Sequence, residues 1–180
     1  MLKLNIFLLL LFTLPGISIG QNEFPRDTSF TVHSTWQKIK PDYPQATPVK
    51  PYVSADILSL TNQVYRLREN RQLHMDIFLP NKTDLVKRPA ILMIHGGGWA
   101  SGNKSHLAPM AQKLTLDGFV GITVEYRLSP EALYPAAIHD LKEAIRFVKH
   151  NAGLYRIDTT RIAVLGASAG ATLEIGRAHV

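Results

Sequence analysis

The chain has 180 residues, 46% hydrophobic and 19% charged, the make-up of one soluble globular domain, which excludes disordered and collagen-like classes. Its net charge of +6 is scattered along the length with no basic run or stripe, so nucleic acid is excluded as a partner. It contains no cysteine, which removes disulfides, thiolate catalysis and Cys-ligated metal and leaves oxygen and imidazole to carry any chemistry.

In chain order, Lys3, the apolar block 6–14 and the small residues Ser18 and Gly20 form the pattern of a secretory signal peptide over residues 1–20, cleaved before Gln21. The block is shorter than the roughly 20 residues a membrane span requires, and Pro15 and Gly16 interrupt it, so no stable membrane anchor is expected. The expected location is secreted or periplasmic. Residues 21–54 hold Pro25, Pro41, Pro44, Pro48 and Pro51 among mixed polar residues and read as an extended arm without regular structure.

The domain proper is expected over residues 55–173. Residues 63–68 and 72–79 read as paired strands around a turn at Glu69-Asn70-Arg71; in the second, Leu73, Met75, Ile77 and Leu79 alternate with His74, Asp76 and Phe78. Ala90-Ile91-Leu92-Met93-Ile94 lacks alternation, as a strand buried on both faces of a parallel sheet does. Residues 106–116 have helical spacing, with Leu107, Met110 and Leu114 on the apolar side and a stop at Asp117-Gly118. Residues 119–126 predict the next buried strand. Residues 135–152 predict the longest helix, with Ala137, Leu141, Ala144, Ile145 and Val148 on one face, and 161–165 a strand that runs into Gly166. A hairpin, then strand, helix, strand, helix, strand and the start of a helix predict an α/β fold: an open, mostly parallel sheet with helices on both faces. Ligands bind at the carboxyl ends of such strands, where two glycine-rich motifs fall.

Gly166-Ala167-Ser168-Ala169-Gly170 lies between the last strand and a helix, the context of a nucleophile elbow. A serine held in a sparsely populated backbone conformation needs Gly two positions away on each side and small residues adjacent, and here all four neighbours are Gly or Ala. Ser168 is therefore the candidate nucleophile, and the amide of Ala169, at the start of the helix, is aimed at an oxyanion bound nearby. A chance Gly-x-Ser-x-Gly in a loop is the alternative, and the strand before it and helix after it argue against that.

His95-Gly96-Gly97-Gly98-Trp99 follows the buried strand. Three glycines let backbone approach a substrate carbonyl with no Cβ in the way and let their amides point inward together. A phosphate cradle is disfavoured, because no Lys-Ser/Thr pair follows the glycines.

Together these motifs resemble the α/β-hydrolase superfamily, and within it the bacterial esterases similar to hormone-sensitive lipase and the related secreted carbohydrate esterases of acetylxylan and feruloyl type. The resemblance covers about residues 73–173 and includes Tyr126-Arg127-Leu128-Ser129-Pro130-Glu131, Tyr134-Pro135-Ala136-Ala137 and Asp140. Arg127, Glu131 and Asp140 read as scaffold, since a charged trio near a sheet end more often braces loops than reacts. The resemblance implies that Gly97 and Gly98 supply oxyanion amides alongside Ala169. The lipase-like branch usually carries an acidic residue where this chain has Ala167, which tilts the expectation toward the carbohydrate esterases; Ala171 stands where Gly is common.

The implied activity is hydrolysis of carboxylic esters through a serine acyl-enzyme, acting on a small ester or an acylated carbohydrate, with no metal and no cofactor. An amidase or peptidase on the same fold, or a non-catalytic binding module, are the alternatives. A serine nucleophile needs a base and an acid to orient it, and in this fold both follow the serine in the chain. His95 is expected to orient or pack the glycine loop, Trp99 to line a substrate site, and His33, His74, His106, His139 and His150 to be structural or solvated. The one later histidine, His179, lies in Glu174-Ile175-Gly176-Arg177-Ala178-His179-Val180, which resembles the translation of a sequencing-library adapter. The expectation is thus an incomplete N-terminal part of an α/β-hydrolase fold with a non-native tail over 174–180, inactive by itself.

Overall fold

The computed structural model describes residues 27–68 and 71–178. The expected signal peptide, the first residues of the arm, Glu69 and Asn70 of the expected turn, and His179 lie outside the described residues. The strands are β1 (Ile57–Arg68), β2 (Arg71–Pro80), β3 (Arg88–Ile94), β4 (Val120–Val124) and β5 (Ile157–Gly166); the helices are α1 (Val32–Ile39), α2 (Ala108–Leu116), α3 (Ala136–His150) and α4 (Ala169–Ala178).

The strands form one sheet in the order β1-β2-β4-β3-β5. β1 pairs antiparallel with β2, and β2 antiparallel with β4, whereas β3 runs parallel to both β4 and β5. The sheet is therefore mixed, a parallel trio extended by an antiparallel hairpin. Side chains alternate across a strand, and β3 shows why its sequence does not. Leu92 and Ile94 enter a cluster with Ile138, Leu141, Ala144 and Val148 of α3 and Leu173 of α4. Ile91 and Met93 enter a second cluster with Phe78 of β2 and Ala108 and Ala111 of α2. Both faces are covered by helix, so every position must be apolar. Among the described residues no helix is long and apolar enough to cross a membrane.

The arm, β1 and α2 differ from the sequence-based expectation, and β5 begins four residues earlier than expected, at Ile157. The arm contains α1, started by a capping box in which Thr31 Oγ1 accepts from the Ser34 amide at 3.0 Å and Ser34 Oγ accepts from the Thr31 amide at 2.9 Å. The apolar residues Val32, Trp36 and Ile39 do have helical spacing, but none of them is buried, and the surrounding prolines mask the helix. β1 begins six residues earlier than expected, because a register shift between Leu60 and Gln63 breaks the alternation there. In α2 the buried side is Ala108, Ala111, Gln112 and Thr115, while Met110 is 49% exposed. Small residues face the sheet because the helix lies close over it, and the larger Met110 turns to solvent.

The irregularity in β1 is held by a buried ion pair. Lys104, in a short 3-10 turn before α2, donates to both carboxylate oxygens of Asp76 at 2.8 Å and to Asn62 Oδ1 at 2.9 Å. Asp76 Oδ1 also accepts the amide of Asn62 at 2.8 Å, and Asn62 has a left-handed φ of 53°. Past the carboxyl end of β4, Arg127 grips the fully buried Asp140 with Nε and Nη2, both at 2.8 Å, and Arg71 bonds Glu131 at 2.9 Å. These contacts fix the segment between β4 and α3, the bracing expected of that trio.

Candidate active site

The two glycine-rich motifs leave the carboxyl ends of neighbouring parallel strands, β3 and β5, where Ile94 pairs with Gly166. The Ala167 amide donates to the Ile94 carbonyl at 3.0 Å, which carries the ladder one residue past β5. Ser168 then turns into the left-handed region, φ 52°, and its side chain is exposed at the cleft. For a non-glycine residue that conformation is strained and persists only where its surroundings enforce it. Here α4 begins at once, with the Ser168 carbonyl accepting the Ala171 amide at 2.9 Å. The Ala169 amide lies in the first turn of α4, where backbone N–H groups have no intrahelical acceptor.

The elbow glycines permit close packing. A Cβ on Gly170 would collide with the Ile94 carbonyl oxygen, and one on Gly166 with the backbone of Ala171. The glycine loop packs against the elbow: a Cβ on Gly96 would lie 2.7 Å from Ala167 O and 3.2 Å from Ser168 Cβ. Gly97 and Gly98 have φ of 128° and 60° and border the same cavity as Ser168. The sequence-predicted residues Ser168, Gly96, Gly97, Gly98 and His95 thus meet around one cleft of about 620 Å³.

His95 is 1% exposed and stacks on Tyr126, with ring centroids 4.5 Å apart and planes at 19°. Its Nδ1 donates to the Gly96 carbonyl at 2.8 Å, and the Tyr126 hydroxyl donates to the His95 carbonyl at 2.9 Å. Burial pushes the Tyr126 phenol up to about 12, so it stays a donor throughout the physiological range. Among the described residues no histidine hydrogen-bonds to the Ser168 hydroxyl, and no group of three or more His, Asp or Glu is placed to hold a metal ion.

Two features of the cleft escaped the sequence reading. Its far wall is the arm: Val32, Thr35, Trp36 and Ile39, one face of α1 at helical spacing, line it with Phe30. The arm is moored at Asp27, which bridges to Ser101, and at Tyr52, whose amide donates to Gln112 Oε1 at 2.8 Å. His106 also lines the cleft, edge-on to Phe30 at 5.4 Å, and burial lowers its pKa below the ordinary imidazole value. Trp99, φ 61° and 46% exposed, borders instead a second cavity of about 490 Å³ with Tyr126, Tyr134 and Leu173; only Gly98 among the motif glycines faces both cavities. The aromatic side chains in the Ser168 cleft are Phe30 and Trp36 rather than Trp99.

Residues 75–176, more than half of the chain, match the BD-FAE family. The chain is similar to the carboxylesterase NlhH of Mycobacterium tuberculosis, at 40% identity over 87 residues that make up 48% of this chain and 27% of that protein. Its structure is similar to that of esterase Est2 from Thermogutta terrifontis, with a TM-score of 0.59 and 30% identity, covering 62% of this chain and 41% of that one. It is also similar to a fungal esterase from Rhizomucor miehei, with a TM-score of 0.60 and 29% identity over 85% of this chain and 46% of that one. The matched part is less than half the length of each of these relatives. On the family match, the sheet topology and the paired motifs, the chain belongs to the BD-FAE family, within the α/β-hydrolase superfamily.

Proposed function

We propose that this protein is a carboxylic-ester hydrolase that works through an acyl-enzyme on Ser168. The observation that carries this reading is the left-handed, exposed Ser168 at the end of β5, facing the Gly97-Gly98 backbone across one cleft. In the proposed reaction the Ser168 hydroxyl attacks the ester carbonyl as a base takes its proton. The tetrahedral oxyanion is held by the amides of Gly97, Gly98 and Ala169. Collapse expels the alcohol, which receives the proton from the base, and water then releases the acid by the same steps in reverse roles.

In this fold the base and its acid partner follow the serine in the chain, serine before acid before histidine. The substrate is a small ester or an acylated carbohydrate, and Ala167 favours the carbohydrate side. Export to the periplasm or exterior follows from the pattern of residues 1–20.

The test is hydrolysis of p-nitrophenyl acetate and of acetylated xylo-oligosaccharide by the complete gene product and its Ser168→Ala variant. Turnover by the parent and none by the variant is expected. Turnover by the Ser168→Ala variant would refute the mechanism.

A further inference from the structure

The carbonyl of Gly97 is held by three donors from one turn: Ser101 Oγ at 2.7 Å, the Ser101 amide at 3.0 Å and the Ala100 amide at 3.3 Å. Gly97 C=O and Gly98 N–H belong to one planar trans peptide and so point in opposite directions. Fixing the carbonyl toward Ser101 therefore fixes the Gly98 N–H away from it. A Cβ added to Gly98 would meet nothing within 4 Å, so the residue is open to its surroundings, and Gly98 borders the cavity that holds Ser168. The preceding peptide is set in the same manner, because the Gly96 carbonyl is taken by His95 Nδ1 and the Gly97 N–H must point the other way.

His95 also packs on Tyr126, whereas the Ser101 hydroxyl makes the single side-chain bond to Gly97 O among the described residues. Ser101 is only 5% exposed, and its backbone is pinned by the turn to Gly97 and by the bridge to Asp27. A hydroxyl bond in a buried setting is stronger and more directional than one in water.

We propose that Ser101 is a positioning residue of the oxyanion site: its hydroxyl holds the Gly97–Gly98 peptide plane so that the Gly98 N–H meets the charge that develops on the substrate carbonyl oxygen. This rests on the assignment of Ser168 as nucleophile. Because the Gly98 amide bonds most strongly to the oxyanion, loosening it acts on the chemical step and not on substrate binding.

The test compares Ser101→Ala, Ser101→Thr and Ser101→Val in the complete protein, with p-nitrophenyl acetate as substrate and kcat scaled to the serine titrated by a fluorophosphonate. Thr and Val are alike in volume and differ in the hydroxyl, so that pair isolates the bond even where Ala loosens the loop. The expected result is a drop in kcat of about tenfold in the Ala and Val variants, KM within about twofold of the parent, and recovery of most of kcat in the Thr variant. Equal kcat in the Thr and Val variants, or losses that appear in KM alone, would overturn the proposal. Ser168→Ala is the control that separates the two claims: if it stays active the nucleophile assignment fails, and if it is inactive while Thr and Val match, only the role of Ser101 fails.

Discussion

The amide of Ala167 donates to the carbonyl oxygen of Ile94 at 3.0 Å, and so the residue before the elbow serine is bonded to the residue before the glycine loop. Two motifs far apart in sequence are thereby fixed to each other by the last rung of the β3–β5 ladder. Gly170 crosses the same carbonyl on the next turn, with no space for a side chain.

Gly170→Ala is therefore expected to push α4 off the end of β3. Backbone meets backbone here, so the strain cannot be relieved by a rotamer change, and a loss of about 1–3 kcal/mol is expected. Urea denaturation gives the stability, and the rate of fluorophosphonate reaction at Ser168 reports the displaced elbow. Unchanged values of both would show that the two segments are less tightly joined than the geometry indicates.

Lys104 and Asp76 are each less than 10% exposed and make charge-assisted bonds to each other. Removing one charge leaves the other buried without its partner, which typically costs about 3–5 kcal/mol. Lys104→Met is expected to fall in that range by urea denaturation. The double variant Lys104→Met with Asp76→Leu should recover part of the loss, because no lone charge remains. A Lys104→Met variant as stable as the parent would contradict a closed, dry ion pair.

His106 is half-buried in the cleft, and burial holds its pKa below the ordinary imidazole value of 6.5. The unfolded chain takes up this proton near pH 6.5 while the folded protein resists it. The contribution to stability is thus complete above pH 6.5 and is lost as the pH falls toward the folded-state pKa. An NMR titration should find the His106 imidazole titrating below 6.5, and His106→Asn should flatten the acid-side slope of stability. Titration at or above the ordinary imidazole value would contradict the burial of His106.

Much of this was legible in the sequence wherever a single force dictates residue type. The unbroken apolar run of β3 follows from helices on both faces, and the small neighbours of Ser168 follow from a left-handed backbone packed against β3. What stayed hidden depends on meetings between distant segments. α1 lies in a proline-rich stretch that reads as irregular, and its apolar residues Val32, Trp36 and Ile39 wall the cleft without being buried. The partnership of Lys104 with Asp76, 28 positions away, leaves no local pattern. Trp99 sits beside the glycine loop in sequence, but its left-handed backbone swings it to the second cavity. His106 looked like one more helical histidine until the fold set it against Phe30.

Reaction of the complete gene product with a fluorophosphonate, followed by peptide mass mapping, tests the central claim most directly. A single adduct on the peptide that carries Ser168, absent from the Ser168→Ala variant, is the predicted result. An adduct on another residue, or no adduct in a protein that still hydrolyses esters, would contradict the assignment of Ser168 as the nucleophile.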